Sequence, residues 1–165
     1  MNVLLKKIGF GALIATAPIL TFLGAAEAGD ADAGAKVFKR CLACHAVGPD
    51  AKNKVGPALN GIVGRAAGIK AGYSYGTGII EARGAVGEDT NGDGLLDVPE
   101  GFTGLTWTEE NLAAYIENPK GFLQTYTNDK EAKAKMVFQL KGADDRANVI
   151  AYLKTFGPDG NPAAQ

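Results

Sequence analysis

The sequence is poor in the side chains that most often bind metals or form disulfide bonds. Its 165 residues include one histidine, two cysteines and two methionines, one of which is Met1. The lone histidine excludes a site with two histidine ligands, and a zinc site built on the cysteine pair lacks the further ligands it needs. With 17 basic and 18 acidic residues, the formal net charge is −1, which indicates no nucleic-acid partner.

An apolar segment without charged residues lies near the N-terminus. It follows Lys6 and Lys7 and precedes residues 26–28, which read Ala-Glu-Ala. This pattern predicts a secretory signal over 1–28 that is cleaved at its end, so that the mature protein is exported to the periplasm. The alternative is an uncleaved anchor, but the stretch is shorter than the roughly 20 residues of a spanning helix. Residues 29–165 are then expected to form one domain.

Hydrophobic periodicity predicts an all-α fold of short helices joined by long loops. The loops are rich in glycine, of which the chain has 23. So little regular structure needs a large apolar cofactor at its centre to complete the core. The predicted helices cover 32–40, one turn at 79–83, a helix capped by Thr106 and Glu109 and ended by Pro119, and 143–156.

The two cysteines and the only histidine form a single motif. Cys41-Leu42-Ala43-Cys44-His45 is C-x-x-C-H, the attachment sequence for a c-type haem. Each thiol adds to one haem vinyl group, and His45 is delivered to the iron from the same side. A thioredoxin-like site also uses C-x-x-C, but it follows a strand in a βαβ pattern, which is missing ahead of Cys41.

The composition also limits which residue can be the second ligand of the iron. Met136 is the only methionine after the predicted signal segment, and no second histidine exists. A lone methionine usually fills a core. Here its position far down the chain, beside Lys133 and Lys135, favours ligation of the haem iron through the thioether. Such ligation stabilises reduced iron and raises the reduction potential.

Beyond these residues, several segments of the chain resemble the class I cytochromes c, and the resemblance is nearest to the bacterial cytochromes c2. It extends from about Gly29 to Phe156. The matching segments are 34–38, Gly56-Pro57-Ala58-Leu59-Asn60-Gly61, Val63-Gly64-Arg65, Tyr73-Ser74-Tyr75, Trp107, Tyr115 with Asn118-Pro119-Lys120, 122–136 and 150–153. The segment 122–136 is similar to the longer methionine loop of some cytochromes c2, although the usual Pro-Gly before the ligand is missing.

The resemblance implies roles for five further residues. The Pro57 carbonyl would accept a hydrogen bond from His45, while Arg65, Tyr75 and Trp107 would bind or screen a haem propionate, and Tyr115 would lie near the Met136 sulfur. Taken singly, Pro57 could be only a turn residue, Trp107 and Tyr115 only core, and Arg65 only a surface charge. The resemblance also implies that Gly34 and Phe38 pack against Val149 and Tyr152.

The family's function is one-electron transfer rather than catalysis. The resemblance implies a monomeric, soluble periplasmic carrier with one covalent haem c, docking through lysines at the haem edge. The expected partners are membrane or periplasmic redox proteins, namely a quinol–cytochrome c oxidoreductase, a terminal oxidase or a photosynthetic reaction centre. The alternatives are a small haem peroxidase or gas-binding cytochrome with a displaceable sixth ligand, or a structural calcium protein that carries haem.

An insertion of about 84–104 departs from the family pattern. Within it, 89–100 fits D-x-[DN]-x-[DN]-G-x5-E, the calcium loop of EF-hands. The predicted ligands are Asp89, Asn91, Asp93, Leu95 through its carbonyl, Asp97 and Glu100. The other interpretation is a solvated acidic loop, since Pro99 is unusual and no long helices flank the segment. Outside the five acids of 88–100, the mature chain has 15 basic and 12 acidic residues, so its body is basic.

Overall fold

The computed structural model describes residues 29–163. The predicted signal segment, 1–28, lies outside the described residues, as do residues 164 and 165. Over 29–163, no helix has both the length and the apolar character needed to cross a membrane.

Five short helices account for the regular structure of the described chain. They are α1 (Ala31–Phe38), α2 (Thr77–Arg83), α3 (Glu109–Glu117), α4 (Pro119–Thr127) and α5 (Ala143–Lys154). Within 29–163 no extended strand forms, and strand-like pairing is limited to three isolated bridges. The prediction of short helices tied by long loops is therefore confirmed.

The first and last helices cross at close range, and Gly34 makes this possible. A Cβ atom at Gly34 would lie 1.9 Å from the carbonyl oxygen of Asn148 and 2.8 Å from Cβ of Tyr152. One turn later, Phe38 packs on Tyr152 with ring centroids 5.4 Å apart. The two ends of the described chain are thus joined directly. Asp30 strengthens the start of α1, since its side chain accepts hydrogen bonds from two backbone N–H groups of the first turn.

The predicted cap of α3 is wrong, and α4 was not predicted. The N-cap is Thr108, whose hydroxyl accepts from the N–H of Asn111 at 3.1 Å, whereas Thr106 is paired in a bridge with Ala66. Pro119 does follow the end of α3, but it also begins α4. Proline suits the first turn of a helix because its missing N–H needs no partner there. The side chain of Asn118 caps this second helix by accepting from Gly121 N at 3.2 Å.

The insertion over 84–104 is fastened at the edge of the fold. Its chain enters after α2 and leaves where Leu105 N donates to the Ala82 carbonyl at 2.9 Å. In between, Leu96 N donates to the Ile69 carbonyl at 2.7 Å, and residue 95 forms a bridge with Lys70. These backbone contacts give the acidic loop a defined position without adding a helix or strand.

Candidate haem-binding pocket

Residues from four of the five helices and from several loops line one central cavity of about 230 Å³. Its walls are mainly apolar and include Phe38 of α1, Ile79 of α2, Leu112 of α3 and Val149 of α5. The structure brings all nine residues of the predicted haem site to this cavity. They are Cys41, Cys44, His45, Pro57, Arg65, Tyr75, Trp107, Tyr115 and Met136.

A helical turn after α1 presents the three motif residues together. The N–H groups of Cys44 and His45 both donate to the Cys41 carbonyl, at 3.0 and 2.9 Å. Residues three and four apart share one face of such a turn, so both thiols and the imidazole face the cavity. Both cysteines are free thiols. Burial raises the pKa of the Cys41 thiol, an effect that the positive charge of Arg40 opposes and that Cys44 increases.

The backbone carbonyl of Pro57 orients the His45 ring. Nδ1 of His45 lies 2.8 Å from that oxygen, and because a carbonyl only accepts, Nδ1 carries the proton. The lone pair of Nε2 is then available to a metal. Burial lowers the pKa of His45, the hydrogen bond to Pro57 opposes this shift, and the charge of Lys54 adds to it. Burial thus favours the neutral, ligating form of the imidazole.

Met136 lies between α4 and α5, in a segment without regular secondary structure. Its neighbour Lys135 donates through Nζ to the Ser74 carbonyl at 2.8 Å. Four residues later, the buried Leu140 donates its N–H to the Ile116 carbonyl at 2.9 Å. Contacts of the residues before and after Met136 therefore hold this part of the chain at the cavity.

The relatives of the chain carry the same architecture. It is 42% identical over 134 residues to cytochrome c2 iso-1 of Rhodospirillum centenum, covering 78% of this chain and 97% of that protein. It is 43% identical over 150 residues to cytochrome c2 of a Rhodospirillum rubrum strain, covering 90% and 98%. Among solved structures, cytochrome c2 of Rhodospirillum centenum superposes with a TM-score of 0.64 at 39% identity, covering 78% and 99%. No protein-family model matches the chain.

The chain belongs to the cytochrome c2 family. With it comes the class I cytochrome c fold, so the predicted all-α architecture around one haem is confirmed at the level of the fold. Membership also makes the chain an electron carrier and implies one covalently bound haem c.

The pocket of this family member suits a group that is apolar in its body and anionic at its edge. Arg65 donates to the Asn60 carbonyl at 2.8 Å, but its Nε is buried without a hydrogen-bond partner. None of the ion pairs in the described structure involves Arg65. Burial lowers the pKa of Arg65, since removing the charge from water is unfavourable. A carboxylate of the bound group would supply the missing partner.

Backbone pairing explains why Arg65 and Trp107 meet although they are far apart in the sequence. Trp107 N donates to the Arg65 carbonyl and Gly64 N donates to the Trp107 carbonyl, both at 2.8 Å. Tyr75 lies near the guanidinium of Arg65, and its hydroxyl accepts from Lys70 N at 3.1 Å. Together these contacts place the residues expected to bind or screen a propionate in one corner of the pocket.

Tyr115 shares the pocket with Met136, as the resemblance implied. Within 29–163 its hydroxyl has no hydrogen-bond partner, and burial raises its pKa strongly. The ring instead packs on Trp107, with centroids 4.9 Å apart.

Sequence reasoning missed several wall residues. The apolar ones, such as Phe138 and Ile62, carry no chemical signature that separates them from other core positions. Tyr73 belongs to a matching segment, yet its role was not predicted; its hydroxyl donates to the Val55 carbonyl at 2.6 Å. Arg40 follows α1 and stacks over the Phe138 ring at 5.3 Å.

The structure does not gather the predicted calcium ligands into a metal site. Within the described residues, no group of three or more His, Cys, Asp or Glu side chains is placed to hold a metal ion. The side chains instead bind the loop itself. Asp89 accepts from the N–H groups of Gly92 and Gly94 at 2.8 and 2.9 Å, and Asp93 accepts from Leu95 N at 2.8 Å. The carboxylate of Asp97 is bonded by the hydroxyl of Thr90.

We expect Gly56→Ala to impair the histidine side of the pocket. A Cβ atom at residue 56 would lie 2.3 Å from Cε1 and 2.7 Å from Nδ1 of His45, so the ring must shift from the position in which it bonds to the Pro57 carbonyl. The expected result is a lower yield of haem-loaded protein and lower thermal stability of what is recovered. Gly142→Ala is the matched control, because a Cβ atom at Gly142 would meet nothing closer than 3.5 Å. Equal yield and stability of Gly56→Ala and wild type would contradict this account.

Proposed function

We propose that this member of the cytochrome c2 family shuttles single electrons between redox complexes in the periplasm, with His45 and Met136 as the axial ligands of a haem c held by Cys41 and Cys44. The observation that carries the proposal is that these four side chains line one pocket, although Met136 is far from the others in sequence. When bound, the haem supplies an iron that changes oxidation state by one electron.

The residues of this chain would fix that group and exclude water from it. The thiols would attach it, and the Pro57 carbonyl would hold the His45 ring in its ligating tautomer. Arg65 would meet a propionate with the donor that has no partner in the protein. Because a histidine and a methionine would occupy both axial positions, no site remains open for a substrate, which favours a carrier over an enzyme.

The mutation Met136→Ala tests this assignment. We expect it to lower the reduction potential and to abolish the weak near-infrared sulfur-to-iron band of the oxidised protein. Axial ligands set haem potentials over a range of about 0.8 V, so the loss of a thioether is a large change. Val98→Ala is the control, since Val98 is 40% exposed and lies outside the pocket. If Met136→Ala kept both the band and the wild-type potential, another group would have to be the ligand.

Apolar side chains and lysines at the pocket mouth support a docking edge for redox partners. Val55 and Val137 line the pocket and are 68% and 89% exposed, while Leu42 is 46% exposed. Lys54 and Lys135 lie beside them, with Lys54 Nζ on the Leu42 carbonyl at 2.9 Å. Lys120 and Lys133 are also exposed. An apolar patch rimmed by cations suits the acidic face of a membrane redox complex, which it would bind briefly.

We expect electron transfer to such a partner to slow as salt is added. Charges on the surface are screened beyond about 8 Å at physiological ionic strength, so steering by the lysines weakens. Lys135→Gln should lower the rate at low salt and flatten the salt dependence. Lys36→Gln, an exposed position on α1 outside the pocket, serves as the control of equal charge change. A bimolecular rate constant that is independent of salt in stopped-flow measurements would exclude electrostatic steering.

We also propose that the loop over 89–100 takes up calcium weakly, by rearranging its carboxylates around the ion. The support is the complete ligand pattern, together with turns at Gly92 and Gly94, which have φ values of 74° and 81°. Five acids and no base occupy 88–100, and a divalent cation would relieve their repulsion. Since the ligands are not preassembled, a dissociation constant of about 0.1–1 mM is expected, as in extracellular modules.

Calorimetric titration of chelator-treated protein tests this loop. At a calcium concentration tenfold above Kd, binding to the native state should raise the free energy of unfolding by about 1.4 kcal/mol. The variant Asp89→Ala with Glu100→Ala should lose both the heat of binding and this stabilisation. A control variant, Glu110→Ala with Asp144→Ala, removes two carboxylates elsewhere. Equal uptake by the loop variant and the control variant, or none by wild type, would leave only an acidic surface loop.

A further inference from the structure

One arginine of the last helix reaches the chain segment that carries Met136. Arg146 lies in the first turn of α5, and its side chain is only 13% exposed. Its Nη1 donates to the backbone carbonyls of Leu140 and Lys141, at 2.9 and 2.7 Å. Its Nη2 lies 3.1 Å from a carboxylate oxygen of Glu117, at the end of α3. A single guanidinium therefore joins α5 and α3 to the chain between α4 and α5.

These contacts converge on Leu140. Its side chain is 1% exposed, its N–H donates to the Ile116 carbonyl at 2.9 Å, and its carbonyl accepts from Arg146. The next residue, Lys141, donates through Nζ to the Glu117 carbonyl at 3.0 Å. Because the side chain and both backbone polar groups of Leu140 are engaged, the segment cannot slide along α3 without breaking all of these contacts together.

We propose that Arg146 is a positioning residue for the second haem ligand: by holding the chain at Leu140, it fixes the register that places the Met136 thioether at the iron. The proposal rests on the proposed function, since it requires Met136 as a ligand. A chain advances by at most about 3.5 Å per residue, so a slip of one residue at Leu140 would move Met136 by up to that distance. A working site tolerates displacements of only about 0.5 Å.

The other side-chain contacts that hold this segment come from exposed cations. Lys135 is exposed and bonds to a backbone carbonyl through its flexible side chain. Arg40 stacks over the Phe138 ring, but its side chain is 51% exposed. Water competes for exposed polar groups, so such contacts contribute little to fixing the chain. The buried contact between Leu140 and Arg146 is therefore the one that sets the register.

The geometry requires arginine rather than any cation. The planar guanidinium presents its donors in a rigid fork, which here spans two carbonyls and one carboxylate. A lysine at residue 146 would keep the charge but would bring one compact ammonium that cannot hold all three acceptors in this arrangement. The Nε of Arg146 is buried without a hydrogen-bond partner, so the contacts of the two Nη atoms also offset an unfavourable burial.

The test titrates oxidised, haem-loaded protein with imidazole, which binds the iron only in molecules whose Met136 has left it. The apparent affinity for imidazole therefore rises with the fraction of such molecules. We expect Arg146→Lys to raise this affinity at least about tenfold, as the loss of a hydrogen bond from a charged donor typically does to an equilibrium. Arg83→Lys is the matched control, because Arg83 also donates to a backbone carbonyl, that of Gly68, but lies outside the pocket.

A Met136→Ala background separates positioning of the ligand from general loosening of the fold. In that background the sixth position is already open, so Arg146→Lys should leave the affinity for imidazole unchanged. An equal rise in both backgrounds, or no rise with Met136 present, would overturn the proposal. If Met136→Ala alone kept the near-infrared band, the proposed function would fail instead, and the two failures are thereby distinguished.

A measurement on the wild type needs no variant to fold. The near-infrared band and the hydrogen exchange of the Leu140 amide are followed as urea is added. If the register at Leu140 holds the ligand, the band should be lost over the same urea range in which this amide loses its protection. A Leu140 amide that stays protected after the band has gone would show that Met136 leaves the iron without a change of register, and would contradict the role of Arg146.

Discussion

Packing around one central cavity is the constraint on which the rest of this structure depends. Four of the five helices contribute to its wall, through Phe38, Ile79, Leu112 and Val149, although no helix exceeds 12 residues. Side chains beside an empty space lose their dispersion contacts on that side, so a large apolar group in the cavity would stabilise all of these elements at once. The long loops are tolerated because they are anchored at this shared centre rather than through helix-to-helix contact alone.

The two proposed axial ligands are fixed in physically different ways. His45 is positioned by nearby sequence, through the turn on the Cys41 carbonyl and the hydrogen bond to Pro57. Met136 depends on tertiary contacts made by its flanking residues. Leu140 is clamped between the Ile116 carbonyl, which accepts from its N–H, and the partly buried guanidinium of Arg146, which donates to its carbonyl at 2.9 Å. The methionine side is therefore more sensitive to loosening of the fold.

This difference also explains what the sequence could and could not predict. The C-x-x-C-H motif predicts a haem site because its spacing is dictated by covalent chemistry, and elimination leaves Met136 as the predicted second ligand. Helix ends were harder to predict where the local sequence allows two structures. Thr106 and Thr108 both precede α3, and backbone pairing with Ala66 decides against Thr106 as its cap. Pro119 indicates a helix end, but the same residue favours a helix start, so α4 was missed. The acidic pattern at 89–100 specifies residue types but not the convergence of their side chains.

The insertion shows how this fold accepts added chain without disturbing its centre. Its two ends meet at one place, since Leu105 N bonds to the Ala82 carbonyl and Arg83, beside it, donates to the Gly68 carbonyl at 2.9 Å. The entropic cost of closing a loop grows only logarithmically with its length, so a longer excursion between these anchors costs little more than a short one. None of the residues over 84–104 lines the pocket. The electrostatic character of this edge can therefore change in evolution while the haem environment stays the same.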